Sequence, residues 1–432
     1  MIELLAESAE LAAQMIVKHD YVRVISHNDA DGITSAGIIC NALYRRNIKF
    51  HASIISHLDE AFVRKLEDIT TIFCDMGSGQ PDLIPSDAIV LDHHIPTEKD
   101  TEHLQVNPHL VGIDGSFELS ASGVTYTVAK YLGNNIDLSG LAIVGALGDC
   151  QPMVGANRDI LDEALEHNIV TSEYSLKLGD GDLKESLIYS TDPYMDVTGD
   201  ADKIQKFLDD LGIGGKIGDL TPEDLQLLIS ALMLKVMKKA SVDAIESLIG
   251  ESYKLNYEVI SDASLLVKMT NSSGKLGETG LALALCLRDV EAKDQTYQLC
   301  LDYQKRIISE MKKAEQDIKE GVSIRYVYSS DEKIVGALAS TIIQYVAPDK
   351  PILVMNEDKG KIKISARGTR KLLQKGLDLS VAMSEAAKNV GGVGGGHDIA
   401  SGAAIPVGTE SKFLKDLDAV ITEQLGFKGE CE

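Results

Sequence analysis

Residues 90–96 read VLDHHIP, and this stretch decides the fold. Val90 and Leu91 belong to an apolar run within DAIVLDHH (87–94). Asp92, His93 and His94 end that run, and Pro96 stops the strand. Three side chains able to bind a metal therefore sit at the end of a segment that otherwise belongs in a core. In open α/β sheets, ligands collect outside the carboxyl ends of the strands. A DHH triplet alone says little. It gains weight because an Asp ends an apolar run at three other places: SHNDADG (26–32), FCDMGSG (73–79) and ALGDCQP (146–152).

Working outward, strand and helix alternate. YVRVISHND (21–29), FHASIISH (50–57), TIFCDMGSG (71–79) and DAIVLDHH (87–94) read as strands; DGITSAGIICNALYRRN (31–47) and DEAFVRKLED (59–68) read as helices between them. This pattern predicts an α/β fold with a doubly wound parallel sheet. SASGVTYTVAKYLG (120–133) and LSGLAIVGALGDC (138–150) follow as helices. Residues 156–320 are mainly helical and richly charged. They include a helix start at Thr221-Pro222-Glu223-Asp224 and one long helix, 294–321, ended by Gly321 and joining two lobes. From about 322 a second, smaller α/β pattern begins: IRYVYS, KPILVMNED, KIKISARG and IASGAAIP are strands and KIVGALASTIIQYVA is a helix. The expected domains are 1–155, 156–320 and 321–432, with a cleft between the two α/β lobes.

Composition excludes several classes. No apolar run approaches the ~20 residues that span a bilayer, and the acidic, amphipathic N-terminus reads as a helix and not a signal peptide. Six cysteines, Cys40, Cys74, Cys150, Cys286, Cys300 and Cys431, contain no CxxC pair, which favours reduced thiols in a cytoplasm. The formal charge of −24 disfavours non-specific attraction to nucleic acid or membrane over the whole surface. A polyanion must be met by a local basic patch or by bound cations.

His27, Asp29 and Asp31 fall at alternate positions, and alternate side chains of extended backbone share a face. The plain alternative is a turn and helix cap, where Asp, Asn and Gly are common. Asp75 should point away from its neighbour Cys74. Four element ends carrying five Asp and three His favour a shared metal site over four separate caps. Carboxylates and imidazoles without thiolates suit Mn2+ or Mg2+ better than zinc. Two ions ~3.5–4 Å apart, bridged by a carboxylate, form a recurrent clamp for phosphate-ester hydrolysis. Towards the C-terminus, VGGVGGGHDIASGAAIP (390–406) is either a linker or an ordered segment whose backbone N–H groups approach an anion. Arg367, in Ser365-Ala366-Arg367, is either a surface ion-pair residue or a fork for a second phosphate.

Taken together these motifs resemble the DHH phosphoesterase superfamily. DADG (29–32), Asp75, Asp92-His93-His94 and Asp149 look like its four N-terminal motifs in order, and Ser365–Arg367 with Gly394-Gly395-Gly396-His397 look like those of the associated C-terminal domain. Length and the long helical middle look most like the archaeal RecJ-like proteins, including the nuclease that associates with the GINS complex. The resemblance implies Asp29 and Asp31 as metal ligands, Asp75 as the bridge, His93 as a ligand, Asp149 completing the second site, and His94 on the scissile phosphate. His27 is included among the ligands, although it precedes the Asp pair by two positions where shorter members have a His four positions before. Arg367, Ser365, Gly394, Gly395, Gly396 and His397 would hold a terminal nucleotide's phosphates. The implied activity is a single-strand-specific exonuclease on DNA or RNA, with a role in replication or repair and GINS or other replisome components as partners. The bacterial RecJ enzymes' extra nucleic-acid-binding barrel is not expected here. Two alternatives share the motifs: a phosphodiesterase for short oligonucleotides or cyclic dinucleotides, and a non-catalytic replisome subunit.

Overall fold

The computed structural model describes residues 1–66, 69–179 and 181–426. They form two compact units: Met1–Tyr174 with Glu251–Cys300, and Ser175–Gly250 with Leu301–Glu432. The stretch 156–320 is thus divided between the two, and the long helix Ala292–Asp317 carries the chain from the first to the second.

The first unit is built on five parallel strands: β1 (Tyr21–His27), β2 (Lys49–Ile55), β3 (Thr71–Cys74), β4 (Ile89–Leu91) and β5 (Leu104–Val106), in the order β2-β1-β3-β4-β5. This is the expected doubly wound sheet with one strand more. β5 escapes a reading by periodicity because it is three residues long with a polar Gln105 at its centre. The central strands β3 and β4 are buried at every position because both faces are covered. Val24, Ile72, Cys74, Ile89 and Leu91 pack on one side with the helices Ala30–Arg45, Ala121–Leu132 and Ser139–Gly148; Ile25, Phe73 and Val90 pack on the other with Met76 and Ile84. Each such buried side chain contributes about 1.5–3 kcal/mol. The helix expected over 59–68 is a single turn, Glu60–Val63, among the described residues. Residues 67 and 68 lie outside them.

Strand order places the chemistry. β1 lies between β2 and β3, so the chain leaving β1 and the chain leaving β3 diverge. Such a reversal opens a crevice at the strands' carboxyl ends. Ser26 pairs with Cys74 in the β1–β3 register, which sets His27 beside Asp75.

A two-stranded sheet, β6 (Val170–Leu176) and β7 (Ile249–Leu255), lies where the chain passes between the two units; the segment between its strands belongs to the second unit. There Thr221 caps the helix Pro222–Val236, its hydroxyl accepting from the Asp224 N–H at 3.1 Å, as its sequence predicts. The C-terminal sheet contains β8 (Lys319–Glu320), β9 (Arg325–Tyr328), β10 (Ile352–Asp358), β11 (Lys361–Arg367), β12 (Val393–Gly396) and β13 (Ala400–Pro406), ordered β12-β13-β11-β10-β9-β8. Gly321 does not end the long helix, which stops at Asp317. Instead Lys319 and Glu320 pair with β9, and the Gly321 N–H donates to the Ile324 carbonyl to close the hairpin. Backbone pairing with β9 outweighs one further turn of helix.

The same helix carries Glu310, a buried carboxylate that accepts from the Lys313 ammonium, the Ser330 N–H and the hydroxyls of Ser329 and Ser330. Burial would raise its pKa; Lys313 and the Ser330 N–H outweigh that and hold it at about 2. A depressed carboxylate stabilises the fold above its unfolded value, near 4.5, and the contribution is lost as pH falls through the folded one. Denaturant unfolding should show the wild type losing roughly 2 kcal/mol more than Glu310→Gln between pH 5 and pH 2.

Candidate metal centre

Each acid of the centre is held by its own local geometry. Asp29 is the N-cap of the helix Ala30–Arg45: Oδ1 accepts from the Gly32 N–H at 3.0 Å, leaving Oδ2 for other partners. Asp31 lies in the first turn of that helix and is fully buried. Its two oxygens accept from the N–H groups of Ala121 and Ser122, at 2.7 and 2.9 Å, at the start of the helix Ala121–Leu132. Unpaired donors and the helix dipole make that end a natural carboxylate seat. Asp75 follows β3 in a left-handed conformation, φ 57°, which Asp tolerates better than most residues. Asp149 ends the helix Ser139–Gly148.

These side chains converge. His27 Nδ1 is 2.7 Å from Asp29 Oδ2 and 3.3 Å from Asp75 Oδ2. His93 Nε2 is 3.4 Å from Asp75 Oδ1, 3.3 Å from Asp149 Oδ2 and 3.9 Å from Asp31 Oδ2. Asp75 thus turns one oxygen towards a His27–Asp29 pair and the other towards a set of His93, Asp31 and Asp149. The groups His27–Asp29–Asp75, Asp31–His93–Asp149 and Asp75–His93–His94 each gather three ligand atoms within 4.8 Å of one another. His27 Nδ1, Asp75 Oδ1 and His93 Nε2 are buried polar atoms without a hydrogen-bond partner. Such atoms are costly unless something else meets them, and a divalent cation, preferring oxygen and imidazole donors, is the group they fit.

The two histidines of the triplet differ. His93 is buried, and its Nδ1 donates to the Gly115 carbonyl at 2.7 Å, which turns the Nε2 lone pair to the carboxylates. His94 is 47% exposed, with Nδ1 2.8 Å from Asp92 Oδ1. Asp92 itself belongs to none of the three groups. It is fully buried and accepts from the N–H groups of Ser78, His93 and His94, so it shapes the loop that carries both histidines.

The electrostatics are those of crowded acids sharing protons. Burial would lower the pKa of His27, but the Asp29 charge outweighs it and the net shift is upward. Burial likewise opposes the rise at His93, which the neighbouring carboxylates of Asp75 and Asp149 reverse. At His94 burial is outweighed by Asp92, leaving a value of about 9. Burial and the Asp75 charge raise Asp31 to about 6, and burial with Asp31 raises Asp149. Burial opposes ionisation of Asp29, yet the His27 charge holds it well below the usual range.

Several supporting residues escape sequence reasoning. Gly145 is one: a Cβ there would lie 2.3 Å from Asp31 Oδ1 and 2.0 Å from Ser122 Oγ. In sequence it is one small residue in an apolar helix. Gly145→Ala should push Asp31 off its seat and destabilise the protein by about 1–3 kcal/mol, read as a lowered thermal midpoint. Gln151 is another; it donates to the Gly115 carbonyl at 2.8 Å and is itself held by Asn157.

In the second unit, Ser365 and Arg367 lie on β11 and Gly394–Gly396 on β12, with His397 directly after it. Gly395 pairs with Gly402, and Gly402 with Ser365, so the three sit abreast on adjacent strands. The Arg367 guanidinium donates to the hydroxyls of Ser340 and Ser365 and to the Ala366 carbonyl, at 3.2, 3.0 and 2.9 Å. A Cβ built on Gly395 meets no atom within 4 Å. The glycine run is therefore an ordered edge strand and not a linker.

A parallel sheet with Asp and His at its carboxyl edge, followed by a smaller sheet domain, defines a DHH-type phosphoesterase fold. Residues 21–146 match the model of the DHH family N-terminal domain and residues 320–423 that of the DHHA1 domain, and the chain belongs to the DHH family as a RecJ-like member. It is 38% identical to an uncharacterized protein of Methanocaldococcus jannaschii, over 95% of this chain and 96% of that one. Over 40% of its length it is 26% identical to the single-stranded-DNA-specific exonuclease RecJ of Thermus thermophilus, of which it covers 29%. The crystal structure of Thermus thermophilus RecJ in complex with Mn2+ matches with a TM-score of 0.64 at 18% identity, over 98% of this chain and 55% of that one. CDC45 from Entamoeba histolytica matches with a TM-score of 0.65 at 14% identity, over 96% of this chain and 99% of that one. Among the described residues no helix is long and apolar enough to cross a membrane.

Proposed function

We propose that this protein is a metal-dependent, single-strand-specific exonuclease that hydrolyses DNA or RNA to nucleoside monophosphates. The observation that carries the reading is the shared Asp75 carboxylate, with one oxygen 3.3 Å from His27 and the other 3.4 Å from His93. His27, Asp29 and Asp75 would hold one divalent ion, and Asp31, Asp75, His93 and Asp149 a second. Mn2+ or Mg2+ bound there would supply Lewis acidity and an activated water for attack at phosphorus. His94 is the most exposed imidazole of the set. Its proton, retained at neutral pH beside Asp92, suits contact with a scissile phosphate. Ser365, Arg367, Gly394, Gly395, Gly396 and His397 would hold phosphates of the terminal nucleotide. Arg367 is already oriented by two hydroxyls and a carbonyl, so little side-chain entropy is lost when it binds. In this reading residues 1–155 carry the chemistry and 321–432 the substrate grip, while 156–320 connect them. The setting would be cytoplasmic DNA replication or repair, with GINS or other replisome components as partners.

End-labelled DNA and RNA strands of several lengths, incubated with Mn2+, Mg2+ or chelator, test the reading. Mononucleotide release should require the metal and vanish in Asp29→Ala and His93→Ala. Turnover of short oligonucleotides alone would redirect the assignment to a small-substrate phosphodiesterase, and no hydrolysis with any divalent ion would refute catalysis.

A further inference from the structure

The metal loop is held from a part of the chain more than two hundred residues away. The helix Ala263–Leu276 belongs to the first unit and packs on the turn that follows β1. The Asn271 carboxamide oxygen accepts from the Ala30 N–H at 2.8 Å. Ala30 stands between Asp29 and Asp31, and its N–H is among the first donors of the helix Ala30–Arg45, which have no partner within their own helix. One turn on, the Gly274 carbonyl accepts from the Asn28 side chain at 3.2 Å. The two backbones approach so closely that a Cβ on Gly274 would sit 1.8 Å from the Asn28 carbonyl oxygen. Asn28 and Ala30 are thus gripped on either side of Asp29. Lys275, next along the helix, adds a favourable charge for the ionised Asp29.

The consequence is geometric. Asp29 and Asp31 serve different ligand groups, and their separation is set by the path of the backbone through Ala30. That path is fixed at the Asp31 end by the helix Ala121–Leu132 and at the Asp29 end by Asn271. We infer that Asn271 is a positioning residue for the metal centre, with Gly274 as the close-packing position that admits it. This deepens the proposed function and rests on that reading of the centre as a divalent-cation site. Residues that orient metal ligands without touching the ion typically change metal affinity by 10–100-fold.

Asn271→Leu keeps the bulk and removes the acceptor, whereas Asn271→Asp keeps an oxygen for the Ala30 N–H. Ser272→Ala is the control: it deletes a hydroxyl whose hydrogen bond lies within the helix, to the Lys268 carbonyl. Mn2+ binding to the full chain would be measured by calorimetry and by the electron-spin resonance of free Mn2+, without substrate, alongside the thermal midpoint of the metal-free protein. The expected result is a tenfold or greater loss of Mn2+ affinity in Asn271→Leu, recovery towards the wild-type value in Asn271→Asp, and wild-type affinity in Ser272→Ala. Gly274→Ala should lose affinity as Asn271→Leu does. Wild-type affinity in Asn271→Leu would overturn the inference, as would an equal loss in Ser272→Ala, which would mark a general loosening of the helix. If the wild type binds Mn2+ with this pattern but cleaves no nucleic acid, the inference stands and the nuclease reading falls. If the wild type cleaves but Asn271→Leu binds normally, the reverse holds.

Discussion

Asp75→Asn will reduce metal-dependent hydrolysis by roughly a thousandfold or more, the scale seen when one member of a cooperating catalytic set is lost. The substitution changes almost no volume, so packing does not explain the loss. Asp75 is buried and offers a different oxygen to each of two histidine-containing groups. An amide keeps one oxygen and replaces the other with an N–H2 that donates and cannot ligate a cation. One of the two groups must therefore lose a member whichever way the amide turns. Asp149→Asn, at the partly exposed edge of one group only, should cost less. Steady-state assays at saturating Mn2+ check both, and the thermal shift on adding Mn2+ gives a second readout. It should be large in the wild type and small in Asp75→Asn. Equal activity in the wild type and Asp75→Asn would remove the bridge from the mechanism.

Mn2+ affinity should climb steeply between about pH 6 and 8. A ligand must shed its proton before it can bind a cation. The opposing charges around His27 and His93 raise both imidazoles above their ordinary range, against the pull of burial, while burial first and Asp75 next lift Asp31 to about 6. Asp149 is raised by burial and by Asp31. The sign follows directly: all four groups hold a proton more tightly than they ordinarily would, so binding expels protons and strengthens as pH rises. Each proton released makes affinity change by up to about tenfold per pH unit. Calorimetric titrations in buffers of different ionisation enthalpy would count the protons, and one to two are expected near neutral pH. An affinity flat from pH 6 to 8, with no proton release, would show that the carboxylates and imidazoles are not the ligands.

The two predictions draw on different levels of the molecule. That His27, Asp29, Asp31, Asp75, His93 and Asp149 were candidates for one site was legible from the chain, because each sits at or just after the end of an apolar run; the runs before His27, Asp75 and His93 are strands ending at one edge of a parallel sheet, whereas the run before Asp149 is a helix. The alternation of strands and helices was legible for a related reason: strands covered on both faces, as β3 and β4 are, read as short apolar runs. The short strand Leu104–Val106 was not legible, since three residues carry no period, and neither was the true end of the long helix, which depends on pairing with a distant strand. Cys431 lies outside the described residues.

Sequence alone determined which residue types gather at the candidate centre, because this follows from the order of polar and apolar residues along the chain. Only the tertiary structure decided how the site is divided. Asp75 stands between the two groups because β1 and β3 are neighbours in register. His93 is buried while His94 faces outward because Asp92 folds the loop beneath them. Asp31 is seated by a helix that begins ninety residues later, and Ala30 is gripped by Asn271 from farther still. Hydrogen bonds and van der Waals contacts of this kind act over a few ångströms of space, whatever the distance along the chain.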